Sequence, residues 1–187
     1  MAEAYRTPSS TEHLIIGSGI AGLMLALKLS RQGTVTLIAK SELMDSNTWY
    51  AQGGIASVLS PEDSFGRHIA DTVTAGAGLC RESIVRMVVE GGPAAIAELI
   101  EIGVDFTRWE EPGQDPVFPY HLTREGGHSR RRVIHADDLT GREVLRALVE
   151  RAQSNPRISI RVNQQAVDLI TTDKYGPTFG QNYCLGA

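Results

Sequence analysis

The chain has 187 residues, 42% of them hydrophobic and 21% charged, with 22 acidic against 18 basic residues and a net charge of -4. This is enough apolar chain to bury one sizeable core, so disorder is not expected for most of it. The acidic balance argues against a nucleic-acid partner, whose affinity rests on Lys and Arg neutralising phosphates.

Residues 1–12, MAEAYRTPSSTE, form an expected flexible segment. They lack the basic-then-apolar order of an export signal, which makes the cytoplasm the expected location. From His13 to Gly17, HLIIG reads as a short buried strand stopped by glycine. After a glycine turn, AGLMLALKLSRQG carries Leu23, Ala26, Leu27 and Ser30 at helical spacing, with Gly33 as the expected C-terminal cap. TVTLIA (34–39) is β-branched and apolar, a second strand, and strand, helix and strand in about 30 residues make a parallel βαβ unit. The apolar stretch Leu14 to Leu29 is too short, and too interrupted by Gly17, Ser18, Gly19, Gly22 and Lys28, to span a bilayer.

KSELMDSNTWYAQGG reads as irregular chain. A helix is expected to open at Pro61 to Ser64 and run to about Thr74. Two more are expected over Arg81–Glu90 and Ala94–Glu101, separated by Gly91, Gly92 and Pro93. In DLTGREVLRALVERA, Thr140 and Glu143 stand in the T-x-x-E capping relation, with Val144, Leu145, Leu148, Val149 and Ala152 on one face. RISIRV (157–162) and QAVDLIT (165–171) read as strands, and YCLGA (183–187) as the opening of another without a partner. Cys80 and Cys184 have no partner at C-x-x-C spacing, so neither a metal site nor a disulfide framework is expected, and free thiols fit a reducing compartment.

Gly17-Ser18-Gly19-Ile20-Ala21-Gly22 is G-x-G-x-x-G between a strand and a helix. Gly17 suits a tight turn, Gly19 the close approach of a pyrophosphate and Gly22 the packing of helix on strand. The helix that follows aims N–H groups and its positive end at phosphates. The alternative is a tight turn with no ligand. Most such sites end the second strand on an acid that binds ribose hydroxyls. Here Lys40 ends TLIAK and the nearest acid is Glu42, so the adenosine half is expected to be held differently, with Lys40 lining its pocket.

In HLTREGGHSRRRVIHADD (121–138), one carboxylate, Glu125, stands among four arginines and three histidines. Arg130, Arg131 and Arg132 cannot all face one pocket. At least one is expected in solvent or paired with Asp137, Asp138 or Glu143. His128 and His135 read as structural, and His13 and His68 as packing or surface residues.

GSGIAG, SNTWYAQGGIA (46–56), DTVTAGAGLC (71–80), HLTREGGHSRRRVIHADDLTGREV (121–144) and AVDLI (166–170) follow in an order that resembles the flavoprotein family of L-aspartate oxidase and of the succinate dehydrogenase and fumarate reductase flavoprotein subunits. The resemblance implies an α/β, FAD/NAD(P)-binding Rossmann-like domain of glutathione-reductase-like architecture. Residues 13–187 would be its N-terminal part. The rest of the FAD domain, a capping domain and a C-terminal helical domain would be missing, since family chains are more than twice as long. Such a fragment is expected to bind FAD poorly and turn over no aspartate.

The resemblance places Ser18, Gly19, Ile20 and Ala21 at the FAD pyrophosphate, with Gly17 and Gly22 flanking them in the cofactor site, and Lys40 near the adenosine half. Asn47, Thr48, Trp49, Tyr50, Ala51, Gln52, Gly53 and Gly54 would wrap toward the flavin, with Gln165 and Ala166 on the adenine side; Trp49 and Tyr50 could equally be core packing. The succinate and fumarate enzymes carry a flavin-linked histidine where Asn47 stands, so the FAD is expected to be noncovalent. Glu125 matches the glutamate that reads the substrate amine in the aspartate oxidases, with nearby arginines holding it ionised. The implied reaction takes L-aspartate to iminoaspartate with oxygen or fumarate as acceptor, feeding quinolinate and NAD synthesis, and quinolinate synthase is the implied partner. A succinate or fumarate oxidoreductase and a noncatalytic FAD-binding remnant are the alternatives.

Overall fold

The computed structural model describes residues 10–109, 118–176 and 181–187. In chain order the elements are β1 (His13–Ile16), α1 (Ile20–Leu29), β2 (Val35–Ile38), α2 (Asn47–Tyr50), β3 (Ile55–Ala56), α3 (Phe65–Ala75), α4 (Glu82–Ile102), β4 (Leu122–Thr123), β5 (Val133–Ile134), α5 (Thr140–Gln153), β6 (Ile158–Arg161), β7 (Ile170–Thr171), α6 (Thr172–Tyr175) and β8 (Cys184–Gly186). They fall into two compact units, one drawn from Met1–Ser46 and Val149–Ala187, the other from Asn47–Leu148.

The first unit is built on a parallel sheet of order β1-β2-β6, so the expected βαβ unit is present and the architecture is α/β. Ile15, Val35, Leu37 and Ile158 are buried on the sheet, and Leu23 and Ala26 on α1. Strand β1 is not the fully buried strand expected, because the sheet order leaves it at an edge where Leu14 and Ile16 stay exposed. Helix α1 also ends earlier than expected, capped by Ser30 and not Gly33. Ser30 satisfies the turn itself, its N–H donating to the Ala26 carbonyl and its hydroxyl to that of Leu27. Gly33 serves a close approach instead: a Cβ there would lie 2.6 Å from the Glu12 carboxylate, which accepts the Thr34 N–H. Of the expected flexible segment, residues 1–9 lie outside the described residues, while Thr11 and Glu12 are bonded to Thr34.

The 165–171 strand shrinks to Ile170–Thr171. Asp168 caps its neighbour, accepting the Leu169 N–H at 2.8 Å, a local bond that competes with a strand ladder. Strand β8 does have a partner, pairing antiparallel with β7.

The second unit holds a small antiparallel sheet of order β3-β5-β4 with α3 and α4. Its core includes Ile69, Val89, Ile96, Leu99, Phe106, Ile134, Leu145 and Leu148. Three expectations change here. Residues 60–64 form a turn before α3, which starts at Phe65 with Ser64 as N-cap, the side chain accepting the Arg67 N–H. The two helices expected around Pro93 are one continuous helix. Proline removes one backbone bond there, but Gly92 packs its backbone against Ser57, 2.8 Å from Oγ to a notional Cβ, and Val89 and Ile96 bury on either side. The 40–54 loop is also not wholly irregular, since α2 forms within it.

The capping box at α5 does not form, because both side chains are engaged elsewhere. The Thr140 hydroxyl accepts the Ala136 N–H at 3.0 Å and donates to the Gly53 carbonyl at 2.6 Å, while Glu143 accepts the Asp105 N–H and pairs with Arg146.

Candidate functional site

In the first unit the parallel register aligns Ile16, Ile38 and Arg161, so the chain leaves all three strands at the same end of the sheet. Gly17, Lys40 and residues 163–166 are therefore brought to that end, where open α/β sheets bind ligands. Gly17 has φ +108°, a conformation that L side chains resist, and donates its N–H to the Ile38 carbonyl. Gly19 is the N-cap of α1 and has no side-chain cap. The first intrahelical bond runs from the Leu23 N–H to the Gly19 carbonyl, and no acid sits in the first turn. Gly22 packs so tightly on the strand end that a Cβ would fall on the Gly17 carbonyl.

An uncapped, charge-free helix start on a glycine turn fits a pyrophosphate. Ser46, in the loop that follows β2, was not singled out by sequence and has its Oγ buried without a hydrogen-bond partner, which leaves it able to bond a ligand. Lys40 is exposed. Glu42, the nearest acid, is exposed and accepts a hydrogen bond from Asn163 Nδ2 at 2.9 Å. Gln165 and Ala166 lie just beyond Gln164, whose N–H donates to the Ala39 carbonyl.

In the second unit, segment 47–54 is fastened to the start of α5. The Gly141 N–H donates to the Ala51 carbonyl, the Thr140 hydroxyl to that of Gly53, and the Arg142 guanidinium lies 4.9 Å from the centre of the Trp49 ring. Tyr50, Ala51, Gln52, Gly53 and Gly54 are exposed, as is Asn47, while Thr48 and Trp49 are half-buried. The two glycines differ. Gly54 is small for packing, because a Cβ would fall on the Ile134 carbonyl and lie 2.6 Å from Val133 Cγ1, whereas Gly53 faces open space. Of these two glycines, Gly53 is the one whose backbone a flat ligand could approach.

Glu125 is exposed at a turn between β4 and β5, closed by a hydrogen bond from the His128 N–H to the Glu125 carbonyl at 3.2 Å, with Gly127 at φ +83°. Of the four neighbouring arginines, Arg124, Arg130 and Arg131 are exposed and Arg132 is fully buried. Arg131 donates to the Leu122 carbonyl. Arg132 makes a bidentate pair with Asp63, at 2.7 and 2.9 Å, and a third bond to Asp71 at 2.6 Å. Arg130 and Arg131 thus lie in solvent, one of the two arrangements expected of the run, while Arg132 is paired with Asp63 and Asp71 and not with Asp137, Asp138 or Glu143. Among the described residues no ion pair joins an arginine to the Glu125 carboxylate, so its expected stabilisation by arginine has no contact behind it.

Asp71 also accepts the Ser129 N–H at 2.8 Å and the Ser129 hydroxyl at 2.7 Å. Burial opposes ionisation, but the Ser129 bonds and the Arg132 guanidinium hold the Asp71 carboxyl down at about 2. His128 lies beside the cluster, Nδ1 3.4 Å from Arg132 Nη1, and edge-on to His68 at 5.7 Å. His68 is buried with Nδ1 unpartnered, and burial first, then Arg132 and His128, push it below the usual imidazole range. His121 and His135 share a 2.7 Å contact. Both histidines of the run that were read as structural, His128 and His135, thus sit in side-chain clusters. Asp63 and Asp71 were given no role by sequence reasoning, although Asp71 opens the segment DTVTAGAGLC.

A family model described as "FAD binding domain" matches residues 12–187. The chain is 48% identical over 175 residues to "L-aspartate oxidase" of Pseudomonas aeruginosa, covering 93% of this chain and 32% of that protein. It is 47% identical over 172 residues to "L-aspartate oxidase, chloroplastic" of Arabidopsis thaliana, covering 90% and 26%. Among solved structures it resembles a variant of E. coli quinol fumarate reductase FrdA, with a TM-score of 0.78 and 30% identity over 87% of this chain and 27% of that one. The chain therefore spans about a third or less of the length of the curated relatives it matches.

Proposed function

The chain belongs to the FAD binding domain family, with FAD as its cofactor, and from that premise we propose that it is the segment of an L-aspartate oxidase that holds the dinucleotide and reads the substrate amine. The observation that carries this reading is the exposed Glu125, set on a turn whose base is fastened by Asp71, Ser129 and Arg132. Aspartate differs from succinate by one ammonium, and a carboxylate with no arginine paired to it is the group to recognise it. Two unit charges about 4 Å apart attract by about 4 kcal/mol at an effective dielectric near 20, an upper bound because desolvation opposes it.

When bound, FAD supplies the two-electron redox chemistry that takes L-aspartate to iminoaspartate, with oxygen or fumarate as the acceptor. The chain supplies orientation. The start of α1 and Ser46 would hold the pyrophosphate, with Lys40, Gln165 and Ala166 on the adenosine side. Residues 47–54 would lie along the flavin with Gly53 as the point of approach, and Asn47 offers no imidazole for a covalent link, so the cofactor would be noncovalent. Among the described residues no helix is long and apolar enough to cross a membrane. Cys80 and Cys184 are free thiols, which supports a reducing location such as the cytoplasm, where a quinolinate-forming enzyme would take the product.

The test is the anaerobic visible spectrum of the FAD-loaded, full-length protein before and after L-aspartate, with succinate in parallel. Bleaching by aspartate alone is expected. Bleaching by succinate alone would move the protein to the dicarboxylate enzymes, the reading that the fumarate reductase likeness favours. Glu125→Gln should lower aspartate oxidation far more than fumarate reduction; equal losses would make Glu125 structural.

A further inference from the structure

We propose that Asp71, acting with Ser129 and Arg132, is a positioning residue that aims Glu125, and so sets the preference for an amino acid over a plain dicarboxylate. The inference rests on the reading of Glu125 given above and extends it to residues that touch neither substrate nor cofactor.

A buried guanidinium needs one carboxylate to balance its charge, and Asp63 already meets Arg132 in the bidentate geometry that serves it best, at 2.7 and 2.9 Å with Asp63 itself 1% exposed. Asp71 is therefore a second acid at a site where Asp63 already supplies a counter-charge. Its bonds show what it holds. One oxygen, Oδ2, takes the Arg132 Nη1 at 2.6 Å, the Ser129 N–H at 2.8 Å and the Ser129 hydroxyl at 2.7 Å. Ser129 follows His128, whose N–H closes the turn on the Glu125 carbonyl.

The turn needs such a hold because Gly126 and Gly127 give it no side chains of its own. A Cβ placed at Gly127 would lie 3.7 Å from Ala75 Cβ, so Ala75 stands beside the bend. Asp71 and Ala75 are four residues apart on α3 and so lie on one face of it. That face is a bracket: Ala75 backs the Gly127 bend while Asp71 grips the exit of the turn. Arg132, whose own N–H donates to the Thr123 carbonyl, ties the bracket to the strands on either side. A carboxylate at the tip then meets its target from a fixed direction, where a loose one would reach any cation or none.

The experiment uses the full-length, FAD-loaded protein and reads one quantity, the ratio of aspartate oxidation to fumarate reduction, each as kcat/KM. Asp71→Asn keeps the size of the side chain and removes its charge, and is expected to lower the ratio about tenfold; Ser129→Ala, which removes one bond and leaves the backbone one, about threefold. Should Asp71→Asn fail to fold, Ser129→Ala, at an exposed position, gives the answer by itself. Glu125→Gln is measured beside them. If it lowers the ratio while Asp71→Asn and Ser129→Ala leave it unchanged, the bracket is overturned and the role of Glu125 stands. If Glu125→Gln leaves the ratio unchanged, the reading of Glu125 fails and the bracket with it. A purely structural role for Asp71 would lower both activities in proportion and leave the ratio where it was, which also overturns the proposal.

Discussion

The glycine turn between β1 and α1 and the Glu125 turn between β4 and β5 solve a similar problem by different physics. Each bends through a glycine at positive φ, Gly17 at +108° and Gly127 at +83°. The first is held by backbone and van der Waals packing: Gly17 bonded to Ile38, Gly22 pressed on the Gly17 carbonyl, and no charged side chain in the bend. The second is held by charge, through a buried guanidinium and two carboxylates. A turn held by packing should respond to volume and ignore pH, and a turn held by charge should do the reverse.

The largest expected effect tests the charged side. Arg132→Met would leave the buried Asp63 side chain and the partly buried Asp71 without their shared counter-charge, and should cost about 3–5 kcal/mol of stability. Urea denaturation measures it, and a loss under about 1 kcal/mol would mean that water or another cation replaces the guanidinium. Next comes the packed side. Gly22→Ala places a methyl on the Gly17 carbonyl, so the α1 start must move away from the strand. FAD affinity should fall about tenfold or more, read by flavin fluorescence titration, with about 1–3 kcal/mol of stability lost to overpacking. Gly126→Ala is the matched control in the other turn: nothing lies within 4 Å of its notional Cβ, and no comparable loss is expected.

Acid should then separate the two turns without any mutation. The Asp71 carboxyl sits at about 2 in the folded chain against 3.8 as its ordinary value. A depressed carboxyl contributes its full stability above the higher of those values and loses it as pH falls through the lower, about 2 kcal/mol in this case. His68 acts at higher pH in the same direction. Its folded pKa is lowered, chiefly by burial, so the unfolded chain takes up the proton first and stability begins to fall as pH drops through the ordinary imidazole value. Stability against pH should therefore decline in an imidazole step and an acid step, and Asp71→Asn should shrink the acid one, to which the lowered carboxyl of Glu143 also contributes. An acid step of unchanged size in Asp71→Asn would assign it to the other carboxyls.

The same contrast explains what could be read from sequence. The G-x-G-x-x-G turn was legible because the strand, turn and helix that make it follow one another in order from His13 to Leu29. The partners of Arg132 were not, because Asp63 and Asp71 are 69 and 61 positions away along the chain. Short-range rules also misled wherever a distant group claimed a side chain. Thr140 and Glu143 have capping-box spacing, yet their oxygens serve Gly53 and Asp105. Gly92 and Pro93 look like a helix break, yet contact with Ser57 runs one helix through them. Ser46 could not be read at all, since a buried oxygen without a partner exists only once the chain has folded.

Thr140 stands between the two modes and gives the smallest expected effect. Its hydroxyl is a side-chain group that carries no charge, and it holds backbone at both ends, accepting from Ala136 and donating to Gly53. Thr140→Val keeps the shape and strands both partners, so it should cost about 1–3 kcal/mol, with Thr140→Ser recovering most of it. The loss should be independent of pH and of salt, as for the packed turn. Its place should nevertheless be the 47–54 segment, visible as faster amide exchange at Gly141, whose N–H is bonded to Ala51. If Thr140→Val loosened Gly141 but left FAD affinity unchanged, the Gly53 backbone would not be a point of cofactor approach. A joint loss of exchange protection and affinity would tie that approach to a single hydroxyl.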